Sequence, residues 1–305
     1  MTSRTDPGAA PAVRLRLPAT PPFRLGAVVE SHGWFQTAPF GWDGGSQALR
    51  RVESLPGGVA SVTIRPAEGG VTLEVDRPLD PRDRAEIRVR IRRMLQLDVD
   101  VAGFADALSF DPELAADLAA HGAGRILAGT TLYEDVVKAI CGTNTAWRRA
   151  VASIARIGAW GRDGAFPEPD ALLRAGADRL RTEARVGYRA PYLLATARAA
   201  LDGTLAEIEA GARGVEGRDL ARRLQQLPGV GPATAAFLCL LLGRFDVLVI
   251  DSATYRHAAR AWFDGRRPDR REIAERVSPA GPWRGLALYW AMLRAWQRET
   301  GIATG

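Results

Sequence analysis

One carboxylate stands where it could do chemistry. Asp251 follows the apolar run Val247 to Ile250 in "DVLVIDSATYRHAARAWF", at the start of a helical pattern. An acid there can accept hydrogen bonds from first-turn amides and serve as a plain N-cap, a role Ser252 could also fill. Held ionised beside a reaction centre, the same carboxylate would stabilise positive charge as it develops, an effect worth roughly 3 to 4 kcal/mol for one preorganised group. Other reactive side chains are sparse. The only lysine is Lys138, and every other basic residue is arginine; in its helical segment Lys138 reads as a solvated helix residue, with a catalytic role as the alternative. Cys141 and Cys239 are too few for a four-thiolate iron-sulfur cluster, a cysteine-rich zinc site or a disulfide scaffold, which fits a reducing cytoplasm. His32, His121 and His257 are too scattered for a metal site and read as surface or core fillers.

The elements that must position Asp251 begin with "GRDLARRLQQLPGVGPATAAFLCLLLG", Gly217 to Gly243, where two helical patterns flank the apex Leu227 to Gly231. Gly229 and Gly231 allow backbone angles and close approaches that a side chain forbids, and Pro232 suits the first turn of the next helix. Amides at such an apex, with the positive end of the second helix, make a site for a phosphate. Such a contact sets position and reads no sequence. Taken alone, a GxG here is equally a turn between two core helices.

Around this centre the expected class is α+β. Phe23 to about Val75 carries strand-like runs, "GAVVE", "VASVTIR" and "GVTLEV", between "PGG" and "EGG" turns. Asp80 to Leu97 places Ile87, Ile91, Met94 and Leu95 at helical spacing and predicts one helix packed on the sheet. After Val101 the pattern is helical. The expected organisation is a flexible tail over 1–22, a small antiparallel-sheet-plus-helix module over 23–100, and an all-α bundle over 101–305. A net charge of +6 and a pI near 10.0 point to a polyanionic partner. The longest apolar stretch, Ala235 to Gly243, is too short for a membrane span, so a cytoplasmic protein is expected.

"LPGVGPATA" followed by Asp251 resembles the helix-hairpin-helix, Gly/Pro-rich loop and aspartate signature of a DNA glycosylase superfamily. That superfamily includes endonuclease III, 8-oxoguanine DNA glycosylase and 3-methyladenine DNA glycosylase II. "ILAGTTLYEDVVKAICGTNTAW", "VGYRAPYLLATARA" and "GPWRGLALYWAML" are similar to segments of the 8-oxoguanine branch, and "ESHGWFQ" more loosely to its N-terminal module. The resemblance implies double-stranded DNA with damaged bases as partner, a monomer, and excision of an extruded base through an oxocarbenium-like transition state, with Asp251 as the catalytic acid. It places the backbone grip at Leu227, Gly229, Val230, Gly231, Ala233 and Thr234. Low cysteine count sets aside the iron-sulfur branches. No cofactor is required by the resemblance, but the carbonyls of Gln225, Leu227 and Val230 match positions that hold a monovalent cation in relatives.

Bifunctional members carry a lysine two residues beyond the second hairpin glycine, where this chain has Ala233, so a monofunctional enzyme using water is expected. Extrusion leaves a gap in the duplex, and the match puts Asn144, with Trp147, in the role of plug; Asn144 could equally be a loop-to-helix cap. Trp34, Phe35, Phe237 and Tyr289 are the expected walls of the base pocket, each with core packing as its alternative. Aromatic walls suit alkylated purines. In the 8-oxoguanine branch the positions of Phe237 and Gly285 hold a Cys and a base-contacting Gln, so the alkyl-base reading is preferred. The alternatives are an 8-oxoguanine-type glycosylase, or a non-catalytic lesion-binding protein on the same scaffold.

Overall fold

The computed structural model describes residues 12–300. An antiparallel sheet of five strands comes first: β1 (Val13–Pro18), β2 (Gly41–Asp43), β3 (Ala48–Leu55), β4 (Gly58–Ala67) and β5 (Gly70–Val75), in the order β1-β5-β4-β3-β2. Alternation along β4 and β5 turns Ala60, Val62, Ile64, Val71, Leu73 and Val75 to one face, and all are buried. Between β1 and β2 lie a short helix, α1 (Leu25–Val29), and a 3-10 turn, Gly33–Gln36. Helix α2 (Pro81–Met94) is capped by Asp80, whose side chain accepts from the Asp83 amide, and it buries Ile87, Ile91 and Met94.

The bundle comprises α3 (Pro112–His121), α4 (Leu132–Gly142), α5 (Trp147–Gly158), α6 (Pro169–Thr182), α7 (Ala190–Leu201) and α8 (Thr204–Gly211), then α9 (Gly217–Leu224), α10 (Pro232–Leu241), α11 (Ser252–Trp262), α12 (Arg270–Val277) and α13 (Arg284–Thr300). The α+β expectation is met, with two local corrections. The stretch 1–22 is not simply a tail. Val13–Pro18 is a sheet strand paired with β5, and its Val-Arg-Leu-Arg-Leu alternation buries Leu15 and Leu17; residues 1–11 of that stretch lie outside the described residues. "GAVVE" is not a strand either. Leu25, Val28 and Val29 are buried together on a helical turn, so tertiary burial overrides the β-branched preference of two valines.

The sheet module and the bundle are joined by buried polar contacts. Gln96 donates to the carbonyls of Leu240 and Leu241 and accepts from the Ile126 amide. Glu134 on α4 is paired with Arg51 of β3 at 3.0 Å and with Lys138, one turn along, at 2.6 Å. Arg51 also pairs with Glu53, which reaches Arg90 of α2 at 3.0 Å. Lys138 is therefore not solvated: it is 1% exposed, with its ammonium 4.2 Å from the Phe40 ring centroid. Burial alone would push the Glu134 carboxyl up, but the charges of Arg51 and Lys138 outweigh it and hold the carboxyl well below the usual range. The His32 ring donates from Nε2 to the Leu127 carbonyl at 2.6 Å and accepts the Trp34 amide at Nδ1, so it is a neutral core histidine. Burial holds its pKa down at about 4.

Two outcomes follow for stability. Glu134→Gln should destabilise the protein by about 3 to 5 kcal/mol in urea unfolding, because it leaves Lys138 and Arg51 buried without their shared partner, and adding Lys138→Met should recover part of the loss. His32 makes folding pH-dependent: the unfolded imidazole takes a proton below about 6.5, whereas the folded one refuses it until about 4, so stability falls as pH drops through that window. Between pH 7 and 5 the wild type should lose about 2 kcal/mol more than His32→Gln.

Candidate functional site

Asp251 is the N-cap of α11 and is exposed. Its Oδ1 accepts from the Thr254 amide at 2.8 Å and from the Thr254 hydroxyl at 2.9 Å, while its own amide donates to Thr254 Oγ1 at 3.2 Å. This reciprocal capping box fixes the carboxylate. Among the described residues Asp251 makes no ion pair. The cap reading and the chemical reading are thus compatible: one oxygen is used to hold the group, and the group still faces outward. The segment leading to it is pinned from below, since the Phe245 carbonyl accepts the amides of Gly285 and Leu286 at the start of α13.

In the hairpin between α9 and α10, Gly229 has φ +86°, and a Cβ there would lie 2.7 Å from the Tyr192 side chain. Both facts demand glycine. Gly231 differs: it is extended, and a Cβ would meet open space, so nothing inside the protein requires its bareness. It is the N-cap of α10 and offers no side-chain cap, which leaves the first-turn amides of Ala233 and Thr234 for an outside acceptor. Leu227 and Val230 are buried anchors of the turn, and the Leu227 carbonyl accepts the Val230 amide at 3.0 Å.

Three of the four expected pocket aromatics converge. Trp34 meets Phe237 edge-on at 5.7 Å between centroids, and Phe237 meets Tyr289 at 6.0 Å with the rings tilted by 31°. His32 joins them, edge-on to both Trp34 and Phe237. Trp34 is buried, and Phe237 and Tyr289 are half-buried. The Tyr289 hydroxyl donates to the Ser31 carbonyl at 3.2 Å, which ties α13 to the N-terminal module. Phe35 makes no ring contact with this group among the described residues. At Gly285 the Val247 carbonyl occupies the space a Cβ would need, 2.2 Å away, so the backbone leaves no room for a side chain there.

Asn144 lies in the exposed loop between α4 and α5 with φ +45°. It does not cap α5, whose N-cap is Ala146. Arg189 braces the loop by donating to the carbonyls of Thr143 and Asn144, and the Asn144 amide group donates to the Tyr188 hydroxyl at 3.4 Å. Tyr188 is 56% exposed, and its ring leads to Tyr192 at 6.2 Å and so to the hairpin at Gly229. Asn144, Arg149, Arg185, Tyr188 and Arg189 line a cavity of about 230 Å³. Arg149 and Arg185 are exposed and make no ion pair among the described residues. Sequence reasoning did not single out Tyr188 or these arginines; the Tyr-Arg pair inside "VGYRAP" was the available signal. Trp147 is instead engaged with the 3-10 turn, its Nε1 donating to Gln36 at 3.0 Å.

No protein-family model matches the chain. It is 29% identical over 291 residues to the probable bifunctional transcriptional activator/DNA repair enzyme AlkA of Mycobacterium tuberculosis, which covers 91% of this chain and 56% of the relative. The chain thus spans about half the length of the curated relatives it matches. Among solved structures, a 3-methyladenine DNA glycosylase from Archaeoglobus fulgidus superposes with TM-score 0.69 at 21% identity, covering 93% of this chain and 98% of that one. An 8-oxoguanine glycosylase/lyase from Clostridium acetobutylicum, bound to double-stranded DNA with cytosine opposite 8-oxoG, gives 0.67 at 18% identity, covering 92% and 93%. No helix among the described residues is long and apolar enough to cross a membrane. These superpositions show that the chain has the fold of these DNA glycosylases over most of its length.

Proposed function

We propose that this chain is a monofunctional DNA glycosylase of base excision repair that releases alkylated purines from double-stranded DNA. The observation that carries the proposal is Asp251: its carboxylate is fixed by a capping box yet exposed and free of any ion pair among the described residues. A fixed carboxylate without a competing ion pair suits electrostatic stabilisation of a cation once a bound duplex excludes water from it. In the reaction the bond between C1′ and the base nitrogen breaks, and its electron pair leaves with the base. Asp251 stabilises the sugar cation, water adds at C1′, and Asp251 orients that water and takes up its proton.

The supporting parts are spread over the surface described above. Uncapped amides at Ala233 and Thr234, beside the open face of Gly231, hold a backbone phosphate. Carbonyls of Gln225, Leu227 and Val230 are where a monovalent cation would sit; Leu227 O keeps a lone pair beyond its bond from Val230. Such a cation would add positive charge at the phosphate. Asn144 is the side chain that fills the gap in the stack. Phe237 and Tyr289 offer aromatic faces to the extruded base, and a cationic alkylated purine gains about 0.5 to 2 kcal/mol from such a face. The excluded side chain at position 285 supports this substrate class over 8-oxoguanine. Burial of Lys138 against Glu134 and Phe40 supports hydrolysis over a Schiff-base route.

Asp251→Asn should keep the helix cap, since Asn caps as well as Asp, while base release from duplexes containing 3-methyladenine or hypoxanthine falls at least about a hundredfold. Near-wild-type release by this variant would remove Asp251 from the mechanism; release by the wild type from no lesion in a panel that also includes 8-oxoguanine and uracil would leave a lesion binder. On the same duplexes strand nicking should require added alkali, and borohydride should trap no enzyme-DNA adduct. A trapped adduct lost in Lys138→Met would instead establish the lyase route.

A further inference from the structure

The two ends of α5 grip the strap of chain that carries the pocket tryptophan. At its N-terminus Trp147 lies over Gly33 so closely that a Cβ on Gly33 would meet the indole at 2.7 Å. The same indole donates to Gln36 at 3.0 Å, at the other end of the 3-10 turn. At the C-terminus of α5, a Cβ on Gly158 would lie 2.9 Å from that of Ala38. Between these grips the strap is stiff. Trp34 receives two bonds at its carbonyl, from the Thr37 amide at 2.8 Å and the Thr37 hydroxyl at 2.7 Å, and its amide is held by His32. Its ring meets the Phe237 ring edge-on at 5.7 Å.

A side chain that enters a base stack must be free to leave the protein surface. Trp147 is 39% exposed, but its polar edge is spent on Gln36 and its ring is packed on Gly33. Asn144 sits three residues earlier, in a loop braced by Arg189. A displacement of that loop by an invading duplex would pass through Ala146 to Trp147, and from Trp147 to the strap at Gly33 and Gln36, on either side of Trp34. We infer that Trp147 is not a second plug but a positioning residue, coupling insertion of Asn144 to the placement of Trp34 beside Phe237. This inference rests on the glycosylase reading above.

The test uses the full chain and a lesion duplex from which the wild type releases base. Trp147→Leu, which removes the coupling ring, and Gly33→Ala, which pushes that ring off the strap, should each slow single-turnover base release about tenfold, with duplex Kd changed by no more than about twofold. The double variant should be no slower than Trp147→Leu alone, since both changes break one contact. Trp147→Phe, which keeps a ring over Gly33, should recover most of the rate. A parallel loss of affinity and rate in Trp147→Leu, or rate losses that multiply in the double variant, would overturn the inference. If the wild type releases base from no lesion, it is the glycosylase reading that has failed. The coupling is then read from 2-aminopurine fluorescence at the extruded position on bound duplex: an undiminished rise in both Trp147→Leu and Gly33→Ala sinks it.

Discussion

Glu134 is shared between Arg51 of β3 and Lys138 of α4, and this buried carboxylate is one of the polar contacts that join the sheet module to the helical bundle. Buried charges tolerate little movement, because each would be left uncompensated in a low-dielectric interior. The pair therefore acts as a rigid joint. Helix α4 runs from this joint to the exposed Thr143–Asn144 loop, and the Lys138 ammonium lies 5.5 Å from the Trp34 ring. Both the Thr143–Asn144 loop, at the end of α4, and the Trp34 ring are thus close in the structure to the same cluster. The only lysine of the chain has a structural task.

The candidate site is built from separate elements that hydrogen bonds and ring contacts bring together. Hairpin, Tyr192, Tyr188 and Asn144 form one continuous path across the surface. Trp34, His32, Phe237 and Tyr289 form a second group between the N-terminal module and helices α10 and α13. The Asp251 side chain joins neither group among the described residues; it is held by Thr254, which also bonds the Val249 carbonyl.

What was legible in the sequence was local. Gly229, Pro232 and Asp251 announce a turn, a helix start and a cap by their own backbone chemistry, so the hairpin and the acid could be located without a fold. The alternation in β4 and β5 was equally plain. Lys138 could not be read in the same way, because its burial depends on Arg51, Glu53 and Phe40, which are remote in the chain. The helical turn at Leu25–Val29 was hidden for a related reason: two valines suggest a strand until their neighbours bury them on one side. Strand β1 was hidden by its Pro- and Gly-rich surroundings, although its alternation is as regular as that of β5. The seat of Trp147 on Gly33 and Gln36 could not be read either, because both are remote in the chain.

The contact between Gly229 and Tyr192 has a mechanical meaning. The hairpin apex rests directly on the α7 ring, with less room than one methyl group between them, so it cannot sink inward when loaded. On the proposed reading, this makes the protein the stiff partner and the double helix the compliant one. Any misfit between an anchored phosphate and the aromatic pocket must then be absorbed as curvature of the nucleic acid, and stretches weakened by a lesion bend at lower cost than intact ones.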